Sequence, residues 1–150
     1  MTMVEERPSV TRPIFGEITL EDMQGNALLT QTVMRRIAEV CAHTKGRYTA
    51  ETVADGVLAG DFLVYGVMRP PAALEAVAVA AVVDGCFVIF LVGPEGRDVF
   101  TFLPALESIS RQKRCSSMRV HGPSFFRRQL PKDFHIASIV YEKALSPVHA

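Results

Sequence analysis

An unbroken apolar run, Cys86–Val92, empties into Gly93-Pro94-Glu95-Gly96-Arg97-Asp98, and a helical pattern follows. Backbone N–H groups exposed in a glycine turn, with a helix N-terminus behind them, attract phosphate. Gly93, Gly96 and Arg97 are the residues that would hold such an anion. Three features oppose it. Pro94 removes one N–H donor. Glu95 and Asp98 put carboxylates where the anion would lie. Pro104 implies a helix that starts late, with Thr101 as its N-cap and the proline at its third position, where no intrahelical N–H partner is lost. The loop is therefore expected to be a plain strand-to-helix turn.

The other chemistry-bearing pattern is a basic stretch. From Arg111 to Lys132 there are seven lysines and arginines and no acidic residue. Arg114, Arg119, Arg127, Arg128 and Lys132 lie in it, with Phe125 and Phe126 beside the arginine pair. Such a stretch is a solvated face, a docking surface for an anionic protein, or a nucleic-acid patch on which phenylalanines stack. A protein partner is expected here, since paired phenylalanines serve as core or interface anchors. No nucleophile elbow, P-loop or carboxylate pair occurs. The three cysteines (Cys41, Cys86, Cys115) have neither CxxC nor zinc spacing and are expected to be reduced.

These residues need a frame. A length of 150 residues with 49% apolar content fits one compact domain, and a formal net charge of zero gives it no long-range pull on nucleic acid or membrane. Residues 1–13 are expected to be an N-terminal arm without signal-peptide order, and 146–150 a tail. Ile14–Leu20 has strand composition with Gly16 as a bulge. Asn26 caps a helix to about Cys41, whose buried stripe is Leu29, Val33, Ile37, Val40 and Cys41. Thr49 caps a second helix that Gly60 ends. Strands follow at Phe62–Met68, Leu74–Val83 and Cys86–Val92, the last two joined by the hairpin turn Asp84-Gly85. Both runs are apolar throughout, so helices must cover both faces of the sheet. A helix to about Arg114, a strand "SSMRVHG", a short helix or turn "PSFFRRQL" and a strand "FHIASIVYEKAL" complete the order. The predicted class is α/β (α+β): a central mixed, mostly antiparallel sheet between helices.

That order, with the blocks "GRYTAETVADGVLAGDFLVYGV", "AVAVAAVV…CFVIFLVGPEG", "FLPALESISRQKRC" and "VHGPSFFRRQLPKDF", resembles the GNAT N-acetyltransferase fold over roughly residues 14–145. Within that superfamily it is most similar to small GNAT-like proteins encoded by tailed phages and prophages. The resemblance implies acetyl-CoA at the glycine loop, a tyrosine acid on the short helix after the fifth strand, and a carboxylate base on the sheet. Ser124–Leu130 contains no tyrosine. Tyr48, Tyr65 and Tyr141 lie in other blocks. Cys86–Val92 offers no carboxylate, and Leu74–Val83 offers only Glu75 at its start. His121 and Ser124 are the best substitutes for acid and base.

The expectation is therefore a non-catalytic GNAT-like structural or interaction protein of a tailed-phage-type particle, with no cofactor and no metal. It would sit in multiple copies on other virion proteins, in the virion or the host cytoplasm, away from membranes, and nucleic acid is the lesser partner. The alternative is an acetyl-CoA-dependent N-acetyltransferase with an atypical site made by Gly93, Gly96, Arg97, His121 and Ser124.

Overall fold

In the computed structural model, the described residues are 12–44, 46–70, 73–93, 97–122, 126, 128–136 and 143. Five strands form one sheet in the order β1-β2-β3-β4-β5: β1 (Ile14–Ile18), β2 (Leu63–Arg69), β3 (Ala73–Val83), β4 (Cys86–Val92) and β5 (Ser117–Val120). The first four are antiparallel neighbours, and β5 runs parallel to β4. A parallel neighbour requires a crossover, which α4 (Arg97–Phe100) and α5 (Leu103–Gln112) supply. The remaining helices, α1 (Leu20–Gln24), α2 (Ala27–Cys41) and α3 (Ala50–Leu58), lie between β1 and β2 in the chain.

Local chemistry sets most boundaries. Asn26 Oδ1 accepts from the Leu29 N–H at 3.0 Å and Thr49 Oγ1 from the Thr52 N–H at 3.2 Å, satisfying donors that the first helical turn leaves free. Asp84 (φ 49) and Gly85 (φ 76) form the tight β3–β4 turn, with the two left-handed residues that a primed hairpin needs. The short helix α1 is absent from the sequence expectation, which carried the first strand on to Leu20. Thr19 and Asp22 cap each other there, a reciprocal box that ends the strand at Ile18. Gly16 does not bulge; it faces Gly66 in unbroken register. α5 is capped by the backbone of Phe102, not by Thr101, and Pro104 lies in its first turn.

Each face of the sheet carries its own core. One packs Val33, Ile37 and Val40 of α2 and Val53 and Val57 of α3 on Val64, Val77, Val79 and Leu91. The other packs Val99, Phe100, Leu103 and Leu106 on Tyr65, Phe87 and Ile89. The apolar run of β3 divides between them. Val77 and Val79 point to α2 and α3, whereas Ala78 and Ala80 point to α4 and α5 and leave room for Tyr65, Phe87 and Ile89. Burying one valine, leucine or isoleucine side chain stabilises by about 1.5–3 kcal/mol, so two filled faces account for a sheet this apolar.

The last expected strand begins at Phe134. Residues 134–136 are not strand, and 137–142 lie outside the described residues. So do residues 144 and 145 of that strand, the 1–11 portion of the expected arm and the whole of the expected tail, 146–150. No helix among the described residues is long and apolar enough to cross a membrane.

Candidate functional site

The parallel pair β4–β5 is short by construction. Pairing runs from Cys86↔Ser117 to Ile89↔Val120 and closes with the His121 N–H donating to the Ile89 carbonyl at 2.9 Å. β4 continues past that point through Phe90, Leu91 and Val92. On its other edge it remains paired with β3, but the register steps from Ala80↔Ile89 to Val79↔Leu91, so Phe90 is an extra, bulged residue. A bulge bends its strand, here where β5 stops. Among the described residues no strand pairs with the β5-side edge of Phe90–Val92. The backbone groups on that edge are an open rail of donors and acceptors.

β5 leaves the rail because of two rings. A Cβ on Gly122 would overlap the Phe126 ring, so only glycine lets Phe126 seat there. Phe126 is 3% exposed and meets Phe100 edge-on, with centroids 5.1 Å apart, on the α4 side of the sheet. Phe126 thus lies on the α4 side while β4 runs on. A wedge opens between Phe90–Gly93 on one side and His121–Gly122 on the other.

The face of the wedge opposite α4 is lined from the α2–α3 connection. Thr44 Oγ1 donates to the Cys41 carbonyl at 2.7 Å and accepts from the Tyr48 N–H at 3.2 Å, which fastens this connection to the end of α2. Tyr48 packs on Phe90 with centroids 5.3 Å apart, and Phe62 closes on the same ring at 4.8 Å. Along β5, Met118 and Val120 join the α4–α5 core. Arg119 and His121 alternate to the other face, beside Arg47. His121 is exposed at the strand end. Even so, partial withdrawal from water, and then the Arg119 and Arg47 guanidiniums, hold its pKa below the usual 6.5. The imidazole is therefore neutral at pH 7 and able to accept a proton.

Solved structures share this architecture. An aminoglycoside acetyltransferase from an uncultured soil metagenomic sample, in complex with sisomicin, aligns with a TM-score of 0.59 and 12% identity over 89% of this chain and 97% of that one. An aminoglycoside N-acetyltransferase in complex with CoA gives 0.58 and 11% over 93% and 100%. A ribosomal-protein-alanine N-acetyltransferase from Brucella melitensis gives 0.52 and 9% over 86% and 99%. The fold is that of the GNAT acetyltransferases. No protein-family profile matches the chain, and no curated protein does.

The GNAT-fold neighbours correct the functional expectation. The three structures named above are acetyltransferases, which overturns the reading as a non-catalytic component of a phage-type particle. The companion expectation of no cofactor loses its basis as well, because one neighbour carries CoA. Ser124–Leu130 lacks a tyrosine, but Tyr48, from a different block, comes to rest against Phe90.

Of the residues singled out from sequence, Gly93 ends β4 beside Val40, with 3.5 Å between a built Cβ and the valine Cγ2, and Arg97 opens α4 directly after the loop. The late helix start inferred from Pro104 is thus preceded by a separate helical turn. Gly96, Ser124, Phe125 and Arg127 lie outside the described residues, as do Pro94 and Glu95. Phe126 is a core side chain and not a surface anchor. Arg114 turns left-handed (φ 62) past the end of α5, and Arg128 and Lys132 are exposed. Arg119 lies across the sheet from α5, so the basic stretch does not gather on a single face.

Two other polar groups have structural roles. The Tyr65 hydroxyl donates to Glu17 Oε1 at 3.4 Å, and burial, then the Glu17 carboxylate, raises its pKa far above the ordinary phenol range. Glu75 is ion-paired with Arg69 and is not a free base. A groove of about 330 Å³ lies against Gly16 and Gly66, at the β1 edge of the sheet and away from the wedge. Of its two carboxylates, Asp22 already caps Thr19 and Glu17 accepts from the Tyr65 hydroxyl. Among the described residues no group of three or more metal-ligating side chains occurs.

Proposed function

We propose that this chain is an acetyl-CoA-dependent N-acetyltransferase whose reaction centre is the wedge between β4 and β5. The observation that carries the reading is the open rail Phe90–Val92, bulged away from β5, with a neutral imidazole across from it. The fit to acetyl-CoA is chemical. The arm that carries the acyl group is extended and contains amides, and a free strand edge recognises amide N–H and C=O groups as it would another strand. The phosphates would lie toward Gly93, Gly96 and Arg97, where α4 begins. When bound, acetyl-CoA supplies an acetyl group on a thioester, which an unprotonated amine displaces from sulfur.

The protein's part is to prepare that amine and keep the site dry. His121 accepts the ammonium proton on an imidazole nitrogen, and the neighbouring guanidiniums, by disfavouring positive charge on the ring, keep it unprotonated beforehand. Phe90, Tyr48 and Phe62 form an aromatic wall that excludes water from the closed side of the rail. Calorimetry with acetyl-CoA on the full chain, followed by thiol release in the presence of amines, tests the proposal. Binding and amine-dependent release are expected, and His121→Ala should lower kcat/KM by about 10²–10⁴. No heat of binding at any accessible acetyl-CoA concentration would refute it.

A further inference from the structure

The charge of the acceptor side differs from what an aminoglycoside requires. Arg47, Arg119 and His121 gather on the face of the wedge opposite α4: Arg119 and His121 alternate along β5 with the Met118 and Val120 of the α4–α5 core, and Arg47 precedes the Tyr48 ring that packs on Phe90. The two arginines are uncommitted. Among the described residues, no carboxylate lies within 4.0 Å of either Arg47 or Arg119, although Arg36, Arg69 and Lys113 all have one. Both arginines are exposed, and both are anchored at their backbones. Arg47 sits in the connection that Thr44 pins, and Arg119 sits in β5, paired with Val88.

We infer that the acceptor is an amine that also carries a carboxylate, an α-amino acid being the simplest, held by Arg47 and Arg119 with its nitrogen turned toward His121. This rests on the acetyltransferase reading and names its substrate class. A guanidinium presents a planar fork that matches a carboxylate in two parallel hydrogen bonds. Two forks from different elements fix the orientation of a small molecule as well as its position. The same pair repels a polycation, because like charges facing each other across a site cost binding. The sisomicin bound by one structural neighbour is such a polycation.

The discriminating experiment compares the common α-amino acids with their amides and with sisomicin, in amine-dependent thiol release by the full chain. At least one acid should exceed its amide by about tenfold or more in kcat/KM, the value of one charge-assisted pair. Arg47→Gln and Arg119→Gln should each shrink that ratio, and the double variant should bring it near one. Both side chains are exposed, so the fold should survive, which circular dichroism verifies. Preference for amides or for sisomicin would overturn the inference while leaving the acetyltransferase reading intact.

A second measurement needs no acetyl-CoA. N-acetylated amino acids, the expected products, are titrated into the wild type while the His121 ring is followed by NMR. A bound carboxylate offsets the two guanidiniums, so the imidazole pKa should rise, and the rise should vanish in the double variant. If acetyl-CoA proves not to bind, the catalytic reading falls, and this titration still decides the anion site. No response to any of the acids would overturn it.

Discussion

His121 is the side chain whose behaviour the site most depends on, and its titration is a direct test. Its pKa in the fold is below 6.5 because of burial and of Arg119 and Arg47. The acid limb of the kcat/KM profile should therefore have an apparent pKa below 6.5, and Arg47→Gln or Arg119→Gln should move that limb upward. The same shift carries a stability term of fixed sign. As pH falls through 6.5 the unfolded chain takes up the proton before the folded one does, so folding stability declines on the acid side. Gly122 gives a second residue-scale prediction. Its Cα is the seat of the Phe126 ring. Gly122→Ala should cost about 1–3 kcal/mol in chemical denaturation, the range of an overpacked core site. It should also lower activity, because Phe126 must shift and with it the chain that forms one side of the wedge.

The elements matter through their ends. β4 outruns β5, bulges at Phe90, and so offers an edge that no strand among the described residues pairs, next to an interior strand of the sheet. The α2–α3 connection is short and pinned at both ends, by Thr44 at α2 and by the Thr49 cap at α3. Arg47 and Tyr48 owe their placement to those two threonines. Thr49→Ala should destabilise by about 1 kcal/mol through the lost cap, measured by urea unfolding. If the connection positions the acceptor, the same change should raise KM for the amine more than it lowers kcat. A cap serving only helix stability would leave both constants in place once the protein is folded.

For the whole molecule, the sheet is a partition between two chambers. The α4–α5 side holds the aromatic core around Phe87 and Phe100, the α2–α3 side receives the cations and the aromatic wall, and the wedge lies where β5 stops pairing with β4. A ligand lodged in such a partition couples to global unfolding. Acetyl-CoA at a hundredfold excess over its Kd should stabilise the fold by about 2.7 kcal/mol. For a chain of this length that is a rise of roughly 5–10 °C in Tm, measured by thermal unfolding. An unchanged Tm at saturating acetyl-CoA would contradict both binding and this location.

The fold was legible in the residues because its determinants are local. Asn26 and Thr49 announce helix starts, Asp84-Gly85 announces a hairpin, and two apolar strands without alternation demand cover on both faces. α1 escaped notice because its signal, Thr19 with Asp22, is a box of only two side chains at the end of a strand pattern. The site was hidden for a different reason. A missing tyrosine in one block says nothing of a tyrosine delivered from another, and the distance in sequence between Tyr48, Phe90 and His121 disappears only when β4 and β5 pair. The cations were visible as types but not as partners: spacing along the chain grouped Arg119 with Arg127 and Arg128, whereas strand alternation sends it across the sheet to Arg47. Sequence by itself determined the elements, since capping, turn chemistry and hydrophobic period act over a few residues. Tertiary structure alone decided which charges meet and where the sheet opens, since both depend on a register step at Phe90 and a ring seated on Gly122.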